Sequence, residues 1–147
     1  MATIERTRTI AAPIEEIWDV LADFGGISEW ADNVEHSCIL VSRAKPLGTA
    51  RRLQVGRDTL VETITEFDPP HTLAYHIEGL PKQLGELSNR WTLRSAGNST
   101  TVTLTSTVEI GSRVDQQLAE RVMCRMLAKQ SDSMLAGLAD RLESARV

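Results

Sequence analysis

The sequence predicts an α+β domain in which a curved antiparallel sheet closes on a long C-terminal helix. Three observations carry this. From Val34 onward β-forming residues dominate a long stretch of the chain. Turn signals at Lys45-Pro46-Leu47-Gly48, Gly56-Arg57, Asp68-Pro69-Pro70, Gly79-Leu80-Pro81 and Gly97-Asn98 cut that stretch into six short segments. After it, no Gly or Pro interrupts the chain between Ser112 and Gly137, where apolar residues recur at helical spacing.

In chain order, residues 3–10 read as a strand that Pro13 ends, and Pro13 suits the first turn of a following helix. That helix runs over 14–22, because Ile14, Ile17, Trp18 and Leu21 share one face. Gly25-Gly26 reads as a break, followed by a second short helix over 27–31 that carries Trp30. Strands follow over 34–42, 48–55, 58–67, 72–78, 85–95 and 100–110, and their short connections favour antiparallel neighbours. The long helix begins at a Ser112–Asp115 cap. At 100° per residue, Met123, Met126, Leu127, Met134 and Leu138 fall on one side of it, and Arg121, Arg125, Lys129 and Asp132 on the other. With the first strand this makes seven strands, no repeat and no linker, and residues 1–147 read as one domain.

Composition narrows the function classes. A chain of 147 residues with 41% hydrophobic side chains supports a real core. A net charge of −4 leaves no basic surplus for a nucleic-acid backbone or an anionic membrane. The first ten residues hold no apolar leader and no run reaches membrane-spanning length, so the sequence predicts a cytoplasmic protein without stable membrane insertion. Cys38 and Cys124 form no CxxC and have no His at ligand spacing, which calls for no metal and no cofactor.

The chemistry-bearing candidates lie on the sheet. A two-residue hairpin loop at Gly56-Arg57 pairs residues whose numbers sum to the same value, setting Arg51 opposite Glu62 and Leu53 opposite Leu60 on one apolar face. An Arg–Glu pair there is either a cross-strand ion pair that fixes register or a polar anchor for a ligand, less often an acid/base. The next turn sets Tyr75 near Ile64 and Ile77 near Glu62, so Tyr75 is either core or a ligand contact. On the long helix Met123, Met126 and Met134 share the inward stripe with Gln130, whose amide then needs a partner in the interior. The stripe is either plain core or the wall of a cavity, depending on whether Trp18, Trp30, Trp91 and Tyr75 fill the space. His36 and Cys38 alternate with Val34 and Leu40 and are read as facing inward, though no third group orients them as a nucleophilic pair.

Several strings then acquire a joint meaning. Ala12-Pro13-Ile14-Glu15-Glu16-Ile17-Trp18, Asp23-Phe24-Gly25-Gly26-Ile27-Ser28-Glu29-Trp30, Gly48-Thr49-Ala50-Arg51-Arg52 with Val61-Glu62, and Glu66-Phe67-Asp68-Pro69-Pro70 occur in order. Together they resemble the START-like (helix-grip, Bet v 1-like) superfamily, most closely its polyketide cyclase/dehydrase and lipid-transport family. The chain departs from the family pattern at Thr63, where an Arg usually follows the Glu, and at Ala31-Asp32-Asn33, where a Pro usually follows the Trp. The resemblance implies a seven-stranded sheet wrapped around the C-terminal helix with a cavity between them. It carries the family's inward Arg and Glu over to Arg51 and Glu62, its pocket aromatic to Tyr75, its entrance residue to Trp30, and its helix contacts to Met123, Leu127, Gln130 and Met134. With Leu53, Leu60 and Ile77 these are the expected ligand contacts. Three functions fit: binding or carriage of a small apolar lipid, steroid or polyketide-like molecule by a monomer or homodimer; a polyketide cyclase/dehydrase using Glu62 as acid/base and Arg51 as oxyanion holder; or an interaction module with a collapsed core.

Overall fold

In the computed structural model, residues 2–42, 44–80, 85–109 and 114–144 are described, with the side chains of 114–117 and 119–120 excepted. Strand β1 (Ala2–Ile10) leads into helix α1 (Ile14–Ala22) and a 3-10 helix (Phe24–Glu29). Strands β2 (His36–Val41), β3 (Ala50–Val55), β4 (Asp58–Asp68), β5 (Thr72–Glu78), β6 (Glu86–Ala96) and β7 (Ser99–Glu109) follow, then helix α2 (Val114–Ser144). The seven expected strands are all present. β2 to β7 form an antiparallel meander, and β1 pairs with β7, giving the order β1-β7-β6-β5-β4-β3-β2. The expected cap at Ser112 lies outside the described residues, as do Pro81 in the fourth turn and Ile110 at the end of the last strand. No described helix is long and apolar enough to cross a membrane.

The register follows from the hairpin argument. Arg51 faces Glu62, Leu53 faces Leu60, and Val55 faces Asp58 across the turn. Tyr75 then faces Ile64 and Ile77 faces Glu62, with a register shift between Ile64 and Glu66. Period-two alternation is clearest on β6 and β7, where Leu87, Asn89, Trp91 and Leu93 are buried opposite Val102, Leu104, Ser106 and Val108. Helix α1 buries Ile14, Ile17, Trp18 and Leu21, the face its spacing predicts.

Three expectations need correction. The second short helix is a 3-10 turn over Phe24–Glu29, and Trp30 caps it instead of lying within it. Phe24, Ile27 and Trp30 are all buried and three residues apart, the repeat of a 3-10 helix, in which such side chains eclipse. Gly25 and Gly26 lie inside this turn, and a Cβ on Gly25 would press into the Ile39 side chain of β2 at 2.8 Å. Glycine therefore lets the turn pass close to the sheet.

His36 and Cys38 are exposed; on the edge strand β2 Ser37 and Ile39 pair with the buried Leu53 and Arg51, and of the strand's residues only Ser37 is half-buried, Ile39 being 44% exposed. Ser37 Oγ donates to the Gly25 carbonyl at 2.7 Å and accepts from the Ser28 amide at 3.1 Å, tying β2 to the 3-10 turn.

On α2, Met126 is 61% exposed and Gln130 is also exposed, so that amide needs no interior partner. The buried side of the helix runs through Cys124, Leu127, Ser131, Leu135 and Leu138.

Candidate ligand-binding cavity

Between the concave face of the sheet and α2 lies a cavity of about 190 Å³. Leu53, Leu60 and Ile77 line it from the sheet, and Met123, Leu127 and Met134 from the helix. Glu62 and Gln130 contribute polar groups to the same wall. Eight of the eleven expected contacts thus come together. Arg51, Tyr75 and Trp30 do not line the space, each for an identifiable reason.

Arg51 and Glu62 are both buried, and two contacts of the pair converge on one carboxylate oxygen. Arg51 Nε donates to Glu62 Oε1 at 2.8 Å and Nη2 lies 2.6 Å from the same atom. Nη1 donates to the Phe24 carbonyl at 2.9 Å. The guanidinium carbon stands 3.8 Å from the Phe24 ring centroid and 4.7 Å from that of Tyr75, so two aromatic faces cover the cation. Phe24 and Tyr75 also meet edge to face at 5.7 Å. Arg51 therefore holds Glu62 from behind while Glu62 itself borders the cavity. Burial pushes the Glu62 carboxyl above the ordinary carboxylate range, and the charge and hydrogen bond of Arg51 oppose that rise without cancelling it.

Tyr75 anchors a second polar group. Its phenol oxygen accepts hydrogen bonds from Asn89 Nδ2 at 3.3 Å and Trp91 Nε1 at 3.2 Å. Asn89 Oδ1 in turn accepts from Ser106 Oγ at 2.6 Å. Burial, reinforced by the negative charge of Glu62, raises the phenol pKa and keeps Tyr75 protonated. Trp30 is buried edge to face on Trp91, with ring centroids 5.8 Å apart, in the solid part of the core.

Four residues outside the expected set also line the cavity and bear on its chemistry: Asn33, Asp58, Asn89 and Met126. Asn89 had a signal, because a polar residue between Leu87 and Trp91 at an inward strand position is out of pattern. Asn33 had none, since it sits in irregular chain between the 3-10 turn and β2. Its Oδ1 and the Trp30 Nε1 are, among the described residues, the buried side-chain polar atoms without a hydrogen-bond partner. An orphaned group of this kind costs about 1–3 kcal/mol. No group of His, Cys, Asp and Glu among the described residues could hold a metal ion.

Sequence and fold comparisons agree with this architecture. The family model for polyketide cyclase/dehydrase and lipid transport matches residues 1–143. No curated protein matches the sequence. Among solved structures, the Zhui aromatase/cyclase from a Streptomyces species is 23% identical, with a TM-score of 0.81 over 97% of this chain and 93% of that one. A START superfamily protein from Mycobacterium smegmatis is 16% identical, with a TM-score of 0.77 over 97% and 98%. Ara h 8.0201 is 14% identical, with a TM-score of 0.74 over 97% and 98%. At these identities the likeness establishes the helix-grip fold.

Proposed function

This chain belongs to the polyketide cyclase/dehydrase and lipid-transport family, and from that premise we propose that it binds and carries a small apolar molecule in the cavity under α2. The observation that carries this reading is the cavity wall: Leu, Ile and Met side chains interrupted by a few polar groups, the composition of a ligand site. Its size is close to that of an apolar cavity of about 150 Å³ that takes up benzene, so a molecule of one or two rings fits without displacing α2. Burying such a ligand contributes about 25 cal/mol per Å² of apolar surface removed from water. A collapsed core is disfavoured by the cavity itself.

The test is native mass spectrometry of freshly purified protein, followed by denaturing extraction of whatever accompanies it. A stoichiometric apolar passenger is expected. An empty protein that also shows no thermal shift with lipids, steroids or aromatic polyketides would sink the reading.

The cyclase/dehydrase alternative keeps one supporting observation, a buried Glu62 that borders the cavity with a raised pKa, as a general acid/base requires. Arg51 fits the oxyanion role poorly, because its Nε, Nη1 and Nη2 already serve Glu62 and Phe24. Glu62→Gln separates the two readings. A carrier loses a modest part of its affinity, whereas an enzyme keeps affinity and loses turnover.

A further inference from the structure

We propose that the exposed face of the N-terminal half of α2 is a docking surface for an anionic lipid membrane, and that docking sets the mouth of the cavity against the bilayer. Leu118, Val122 and Met126 stand four residues apart and are 62%, 55% and 61% exposed. Arg121, Arg125 and Lys129 form a second exposed row with the same spacing. Residues four apart are neighbours on a helix surface, so an apolar ridge runs beside a cationic one. A helix that lies in a membrane interface has this pattern, with apolar side chains at the acyl boundary and basic ones at the phosphates.

Three further observations select that partner. Among the described residues none of the three cations has an ion-pair partner. Each instead stands one turn from a like charge, which destabilises the free helix until an anion covers the row. Second, the acids at the same end of the sheet point elsewhere. Glu78, Glu86 and Glu109 are exposed and alternate with the buried, inward Ile77, Leu87 and Val108, which puts them on the convex face, away from α2. The net charge of −4 thus conceals a cationic face on one side of the molecule. Third, the apolar ridge is continuous with the cavity: Met126 belongs to both, and the exposed Gln130, one turn on, also lines the space. From the sheet side Val55 and Leu80 line it, with Asp58 as the exposed acid of the lining. A second copy of the chain is a poor occupant, because a two-fold interface joins the same patch to itself and would bring the two cationic rows together. On the carrier reading, docking lets an apolar cargo pass between acyl layer and cavity without crossing water. The docking itself does not depend on that reading.

Co-sedimentation of the purified protein with vesicles tests this, comparing pure phosphatidylcholine with equal parts phosphatidylcholine and phosphatidylglycerol. Binding is expected to the anionic vesicles and to weaken as salt is raised. Arg121→Gln with Arg125→Gln is expected to weaken it about thirtyfold. Arg52→Gln with Arg94→Gln, which removes the same charge from the exposed convex face, should leave it nearly unchanged. Leu118→Ser with Val122→Ser should weaken binding while its salt dependence remains. No binding to anionic vesicles, equal binding to both compositions, or equal losses in the two charge variants would each overturn the proposal. Vesicle binding that survives Leu118→Ser with Val122→Ser intact would also overturn it, since the face would then read charge alone, as an acidic protein partner would. A dimer in sedimentation velocity that the same variant abolishes would assign the face to a second copy instead. Vesicle binding by a protein without a passenger in native mass spectrometry or a thermal shift with any apolar ligand leaves docking standing and removes the carrier reading. A passenger without vesicle binding does the reverse.

Discussion

Toward its C-terminus α2 buries Met134, Leu135, Leu138, Ala139 and Leu142, whereas nearer its N-terminus it exposes Leu118, Val122 and Met126. The same helix is a core element at one end and the roof of a cavity at the other. At the solid end a Cβ on Gly137 would overlap the Trp30 carbonyl, so helix and 3-10 turn approach as closely as a glycine allows. Trp30, Trp91, Trp18 and Phe67 fill the neighbouring volume with edge-to-face contacts. At the hollow end flexible methionines face polar groups, and Arg51–Glu62 marks the boundary. The contrast teaches that stability and binding are drawn from different stretches of one helix.

The largest effect is expected at the boundary. Arg51→Leu leaves a buried carboxylate without its cation and is expected to cost about 3–5 kcal/mol at neutral pH. The loss should shrink in acid, where a protonated Glu62 needs no counter-charge. Urea denaturation across pH 4–8, a range of roughly the ordinary carboxylate-to-neutral span, measures both. An equal loss at every pH would mean that Glu62 is not the group responsible.

Next come paired truncations of the two halves. Leu138→Ala, in the solid end, is expected to cost about 3 kcal/mol, and Leu127→Ala, which enlarges an existing cavity, about half of that. Equal losses would erase the distinction between core and roof.

A smaller effect concerns pH in the intact protein. The folded state holds the Glu62 proton more tightly than the unfolded chain, whose value is near 4.5. Its contribution to stability is therefore fully present below that pH and is lost as pH rises through the folded value. Glu62→Gln should flatten this part of the stability profile, and an unaltered slope would contradict the direction of the shift.

The smallest effect is at the exposed stripe. Val122→Ala is expected to change stability by less than about 0.5 kcal/mol, because the side chain is 55% exposed. A larger loss in thermal denaturation would place that face against a partner.

Much of this was legible in the chain because it depends on local rules. The Gly56-Arg57 turn dictates register, so Arg51–Glu62 and Leu53–Leu60 follow from counting. The α1 face follows from spacing alone. The 3-10 turn was missed although Phe24, Ile27 and Trp30 carry its period, because the glycine pair reads as a break when residues are taken one at a time.

The sequence by itself determined the order of elements, the antiparallel pairing of successive strands from β2 to β7 and the charged pair on the concave face, since these rest on period-two alternation, turn chemistry and helical spacing within short windows, whereas the pairing of β1 with β7 joins the two ends of the chain. Only the tertiary structure decided which side of α2 meets the sheet, that Phe24 and Tyr75 cover Arg51 behind Glu62, and that Asn33 joins the lining of the cavity. Those outcomes depend on how closely backbones approach and which rings fill the remaining volume, and packing of that kind joins residues far apart in the chain.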